Sequence, residues 1–267
     1  MPINCEPGFG IMKPQRNHHS AVGFNQEVDG YFKKGVKSQE LMGPFEAPPI
    51  EDLCFSPIMS VPKEDCKRRI IVDFSFPPGK AINDGISKAT YLDFAVTFSL
   101  PSVNSMVIRL NELGRRCLMY KRDLKGAFRQ FGIDPGDYRL TGLSWSNSIF
   151  FDTRLAMGLR SSAFCCQSVT ELVAKIARKR AFVLVYLDDF GGAEPADKAF
   201  ASFDQVQSWA ISVWRKLRKR LSLPRQRWTG LAFALIRWIG QCLLDQANCR
   251  SSCYCCQNYW ATKGSRK

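Results

Sequence analysis

Three aspartates carry most of the chemistry legible in this 267-residue chain. Two are adjacent, in Tyr186-Leu187-Asp188-Asp189, between the apolar run Ala181-Phe182-Val183-Leu184-Val185 and Phe190-Gly191-Gly192. The third, Asp123, follows the short apolar stretch Cys117-Leu118-Met119-Tyr120. Adjacent strand residues point to opposite faces, so a tight turn is needed to bring Asp188 and Asp189 near one site. Clustered carboxylates repel unless something positive sits among them, and the usual partner is a hard divalent cation. Three carboxylates meeting across neighbouring strands could hold two Mg2+ ions. Two such ions, about 3.5–4 Å apart, clamp the attacking and the leaving oxygen of an in-line phosphoryl transfer. An Asp-Asp pair by itself is also an ordinary surface turn, so the surrounding elements decide.

Those elements read as follows. Ser56 to Pro62 and the β-branched run Arg69-Ile70-Ile71-Val72-Asp73-Phe74 make a hairpin with a charged tip, Lys63 to Arg68. The basic tip is equally readable as a solvated turn. Ser102 to Leu113 reads as a helix capped by Ser102, with Val103, Met106, Val107 and Leu110 on one face. Cys117 to Tyr120 is a strand that delivers Asp123. Asp137 to Ser144 and Ser148 to Phe151 read as strands around Trp145-Ser146-Asn147. Ser161 to Arg178 reads as a helix with Ala163, Gln167, Thr170, Val173 and Ile176 spaced along it. Residues 1–45 show little periodicity and are expected to be a poorly ordered lead-in. His18 and His19 lie there without a partner cluster and fit a surface loop better than a metal site.

In this order the motifs resemble reverse transcriptases, most closely those of DIRS-like (tyrosine-recombinase) retrotransposons. The resemblance rests on Ser56-Pro57-Ile58-Met59 with Pro62-Lys63, Arg68 to Pro77, Asn83-Asp84-Gly85-Ile86, Asp123 to Gln130, Gly158 to Ser162, and Tyr186 to Phe190. It implies an α+β right-hand polymerase, with fingers and palm over residues 46–207 and no recognisable thumb. It implies that Asp123, Asp188 and Asp189 are the catalytic, metal-binding carboxylates, served by two Mg2+ ions or by Mn2+. Phe128 matches an aromatic gate against the ribose 2′-hydroxyl, a plausible discriminator because dNTPs and rNTPs differ only there. Lys63 and Arg69 match cations that grip the incoming triphosphate, and Gly158 the backbone approach beside the nucleotide. Met157 stands where many retroviral relatives carry Gln, and Ala163-Phe164 where a Pro is common. Arg68 and Tyr186 are expected to contact nucleic acid. The implied partners are a primed RNA or DNA template and dNTPs. The rival reading is a non-catalytic retroelement remnant that at most binds nucleic acid.

Composition fits this frame up to a point. The chain is 45% hydrophobic, as globular proteins are, and its apolar runs are too short and too charged for a membrane span. No secretory signal is legible, so a cytoplasmic or nuclear location is expected. Eleven scattered cysteines point to a reducing compartment. The net charge is +14, yet residues 208–267 alone hold 12 Lys/Arg against one acid, Asp245. The family pattern also stops near Gln207. A one-base slip from Ser208 allows a string with an acidic amphipathic segment, a Pro-Pro-Ser-Thr turn and a Trp-Leu-Gly segment, as the family pattern would continue. Residues 208–267 are therefore read as a basic, Cys- and Trp-rich tail out of frame. Zinc binding by Cys249, Cys253, Cys255 and Cys256 is the alternative, but their spacing matches no structural zinc pattern. The basic run Arg215 to Arg220 would bind phosphates non-specifically whatever its origin.

Overall fold

A computed structural model describes residues 1–63, 67–96, 100–206 and 208. Helices α1 (His19–Val22) and α2 (Asn25–Lys37) precede strand β1 (Leu41–Phe45). The hairpin of β2 (Ile58–Pro62) and β3 (Arg68–Val72) follows, then the short pair β4 (Thr90–Tyr91) and β5 (Phe94–Ala95). Helix α3 (Val103–Leu113) leads into β6 (Cys117–Asp123), and β7 (Gly142–Trp145) with β8 (Ser148–Asp152) forms a second hairpin. Helix α4 (Arg160–Ala177) then precedes β9 (Leu184–Tyr186) and β10 (Asp189–Pro195), and residues 196–206 are helical. None of the described helices is long and apolar enough to cross a membrane.

Two three-stranded sheets organise the chain. One has the order β1-β8-β7 and the other β6-β10-β9, all pairs antiparallel. The second carries the aspartates. Its core joins Val173, Ala174 and Ala177 of α4 to Val183, Val185, Phe190 and Val206, with Tyr120 and Leu124 packed against them. The alternation along β10 explains this: Phe190 is fully buried while its neighbours Asp189 and Gly191 are partly exposed.

Two expectations are corrected. Residues 1–45 are structured rather than a poorly ordered lead-in. Phe32 of α2 packs on Phe150 with ring centroids 4.4 Å apart, the Trp145 indole N–H donates to Asp29 at 2.7 Å, and β1 pairs with β8. These partners are more than 100 residues away in sequence, so local periodicity does not reveal them. Second, Asp137 does not begin a strand. Residues Pro135–Leu140 form a 3-10 turn, because Asp134 accepts from the Gly136 N–H at 2.9 Å and Pro135 sits in its first turn. Helix α3 keeps none of its apolar face in the core. Ser102 does cap it, accepting from Ser105 N–H, but Val103 is 82% exposed and no residue of α3 is buried. The helix docks instead through Arg109, which donates to the Ala193 carbonyl at 3.3 Å and to Glu194 at 3.1 Å.

The remaining hairpins follow the sequence closely. Ser146 and Asn147 both take positive φ (48° and 60°), the geometry of a two-residue hairpin turn between β7 and β8. The β2–β3 register runs from Ile58 opposite Val72 to Pro62 opposite Arg68.

Close packing behind the aspartate sheet yields a stability test. A Cβ on Gly192 would lie 2.3 Å from the Tyr120 hydroxyl and 2.4 Å from the Phe182 carbonyl, which that hydroxyl bonds at 3.0 Å. Gly192→Ala is expected to cost about 1–3 kcal/mol in urea denaturation, the usual penalty for overpacking. An unchanged unfolding midpoint would contradict this packing.

Candidate active site

The strand register assembles the aspartates. In the β6–β10 ladder Asp123 lies directly opposite Asp189, and β10 turns back to β9 through Leu187 and Asp188. Leu187 takes φ +53°, which makes the two-residue turn possible. The Leu124 N–H donates to the Asp188 carbonyl at 3.0 Å, tying the turn to the end of β6. Three residues expected at one site, from positions 65 apart in sequence, thus share one end of one sheet.

Electrostatics record the crowding. Burial pushes the Asp188 carboxyl above the usual carboxylate range, and the charges of Asp123 and Asp189 push it further. A backbone hydrogen bond and Lys121 act in the opposite sense. The Lys121 ammonium lies 2.7 Å from Asp189 Oδ2. Its pKa is raised, first by that hydrogen bond and then by the field of Asp189, Asp123 and Asp188. Hard oxygen donors crowded until they repel suit a divalent cation. Among the described residues, however, no three His, Cys, Asp or Glu side chains converge closely enough to form a finished metal cage.

The turn is held from behind by Gln167 of α4. Its side-chain oxygen accepts from the Leu187 N–H at 2.6 Å, and its amide donates to the Val185 carbonyl at 3.2 Å. Gln167 is buried, as are Cys166, Thr170 and Val173 around it. The sequence reading placed it on the helix without a role. An amide side chain among the residues spaced along that helix was the available signal, since a buried amide demands partners.

A second polar junction lies at the start of α4. Gly158 has φ +100°, and a Cβ there would stand 3.1 Å from the Val72 carbonyl. The Asn83 side chain donates to the Gly158 carbonyl at 2.8 Å and accepts from the Arg160 N–H at 2.8 Å. The Arg160 guanidinium donates to the carbonyls of Asn83 and of Ile86. Loop 157–158 is thereby locked against β3, the strand that carries Arg69, and Met157 is left exposed.

The other expected residues divide. Phe128 is buried, with only 8% of its surface exposed, in a one-turn 3-10 helix. Its neighbour Arg129 pairs with buried Asp152 and with Glu40 at 3.2 Å, which fastens that turn to the β1–β8 sheet. Tyr186 is exposed beside the aspartate turn. Lys63 and Arg69 are exposed on the β2–β3 hairpin, which forms a sheet of its own. Arg68 is committed internally: its guanidinium donates to Ser60 Oγ and the Ser60 carbonyl and lies 3.7 Å over the Phe24 ring. His18 forms part of the same framework, 3.1 Å from Asp73. The tail cysteines Cys249, Cys253, Cys255 and Cys256 lie outside the described residues.

Comparison with known proteins agrees with this geometry. No family model matches the chain. It is 27% identical over 179 residues to the Retrovirus-related Pol polyprotein from transposon 412 of Drosophila melanogaster, an alignment covering 66% of this chain and 13% of that one. The chain thus spans about an eighth of the relative's length. Its structure is similar to the prototype foamy virus protease-reverse transcriptase, with TM-score 0.57 and 20% identity over 79% of this chain and 26% of that one. A foamy viral protease-reverse transcriptase in complex with double-stranded DNA gives TM-score 0.59 and 18% identity, covering 81% and 33% of the two chains. The chain has the mixed α+β fold of reverse transcriptases, consistent with a fragment made of fingers and palm.

The Gln167 clamp is directly testable. Gln167→Leu removes both bonds to the turn and is expected to destabilise the chain by about 1–3 kcal/mol. Amide exchange at Leu187 should accelerate more than exchange in the β1–β8 sheet. Uniform acceleration, or none, would remove the clamp from the account.

Proposed function

We propose that residues 46–207 are the fingers and palm of an RNA-directed DNA polymerase from a retroelement, of the DIRS-like type. It adds dNTPs to a primer 3′-hydroxyl on an RNA or DNA template. The observation that carries this reading is the register that sets Asp123 opposite Asp189 with Asp188 in the connecting turn. Complexes of similarly folded foamy viral enzymes with double-stranded DNA support a nucleic-acid partner.

Asp123 and Asp188 would hold Mg2+, or Mn2+ in its place. Bound there, the ions would lower the pKa of the primer hydroxyl and neutralise the triphosphate. The chain's own residues supply the rest. Phe128, fixed by the Arg129 anchor, closes the space under the ribose C2′. Gly158 lets the backbone approach the nucleotide, with Met157 exposed beside it. Lys63 and Arg69 are free to meet the triphosphate from the hairpin. Tyr186 offers a ring beside the primer terminus. Arg68 serves the hairpin's shape in the first place, through Ser60 and Phe24.

Primer extension by the full chain with Mg2+ tests this. Incorporation of dNTPs should fall by about 100-fold or more in Asp188→Asn, since a metal ligand is lost. If the intact chain extends no primer, the remnant reading replaces this one.

Residues 208–267 belong to the same proposal as a segment read out of frame. Sequencing the coding locus past Gln207 should reveal third bases compatible with a Trp-Leu-Gly segment in the shifted frame. Incompatible third bases would refute the slip.

A further inference from the structure

Lys121 stands two residues before Asp123 on β6, so both side chains leave the sheet on the same face. Directly opposite residues in an antiparallel pair share a face as well, which puts Asp189 and Gly191 on that side. Lys121 faces Gly191, which has no side chain. The lane across the strands is therefore open, and the ammonium crosses it diagonally to reach Asp189 Oδ2 at 2.7 Å. The Lys121 side chain is 69% exposed and that of Asp189 37%. Ion pairs this exposed are weak and exchange readily.

We propose that Lys121 is a tethered counter-cation that occupies the third carboxylate and thereby sets the affinity of this sheet end for divalent ions. The inference rests on the reading of Asp123 and Asp188 as cation ligands and deepens it. The three carboxylates are not equivalent. Asp189 is neutralised from within the chain, and Asp123 and Asp188 are left to face an external cation. An incoming divalent ion meets the field of a resident ammonium, and it gains Asp189 only by displacing that ammonium. Lys121 thus keeps the like charges compatible while the site is empty and makes occupancy depend on the divalent concentration.

The test is Mn2+ binding to the full chain, followed by titration calorimetry and by the electron paramagnetic resonance signal of free Mn2+. Removing one unit charge about 4 Å from a divalent ion in water changes its affinity by about thirtyfold. Lys121→Gln should therefore bind Mn2+ about thirtyfold more tightly than the wild type. Lys121→Arg, which keeps the charge, should stay within about twofold of the wild type. Adding Asp189→Asn to Lys121→Gln should abolish the gain, because the freed carboxylate is its source. Lys121 is exposed, so thermal melts should show all three variants folded. Equal or weaker binding by Lys121→Gln overturns the proposal, as does an arginine variant that behaves like the glutamine variant. A gain that survives the loss of Asp189 also overturns it. Equal binding by the wild type and Lys121→Gln leaves the metal-site reading standing. If none of the proteins binds Mn2+, both readings fall.

Discussion

The antiparallel register between β6 and β10 is the constraint on which the rest of the structure depends. It forces Asp123 against Asp189 and hangs Asp188 in the turn beside them. Like charges directly opposite each other weaken a sheet. What outweighs the repulsion sits on the other face of the same sheet. Phe190 and Val185 are fully buried against Val173 and Ala174 of α4. Full burial of each such side chain is worth about 1.5–3 kcal/mol. Two unit charges about 4 Å apart in water interact by about 1 kcal/mol. Alternation along one strand therefore allows a stable sheet to present a repulsive edge: the core face holds the register and the open face keeps the charges.

Burial alone does not position the turn, because hydrophobic contact is non-directional. The directional work falls to a few buried polar groups. Gln167 takes one bond from the turn and gives one to the strand before it. Asn83 and Arg160 tie the chain before β4 to the start of α4. Arg129, paired with Asp152 and Glu40, joins the turn that carries Phe128 to the β1–β8 sheet. Each link connects segments distant in sequence. Each is satisfied on both sides, as buried polar groups must be if they are not to cost stability.

The same distinction separates what was legible in the sequence from what was not. Apolar runs ending in acids placed β6 and β9, period-3.6 spacing placed α4, and Ser102 marked the start of α3. These are local signals. The helical N-terminus was missed because its partners, Phe150 and Trp145, come more than 100 residues later. Spacing put Val103, Met106, Val107 and Leu110 on one face of α3 but does not report which side finds a partner. Here the docking residue is Arg109, reaching Glu194. Arg68 and Arg69 look alike in sequence, yet one is drawn inward to Ser60 and Phe24 and the other stays exposed. Strand alternation predicts that such neighbours diverge, but not which of the two goes in. The aspartates themselves were legible because two adjacent acids between apolar strands leave few alternatives to a turn.

The junction at Gly158 shows how a residue without a functional group shapes the packing around the candidate site. Its backbone lies so near the Val72 carbonyl that a Cβ would stand 3.1 Å away, at a φ of +100° that side chains rarely adopt. Any other residue would strain the turn and press on β3. Val72 ends the strand on which Arg69 sits, and Gly158 precedes the helix from which Gln167 holds the aspartate turn. Displacement at this contact would therefore act in two directions, on the cationic hairpin and on the carboxylates. The packing of the start of α4 against β3 includes a backbone approach that favours glycine at position 158.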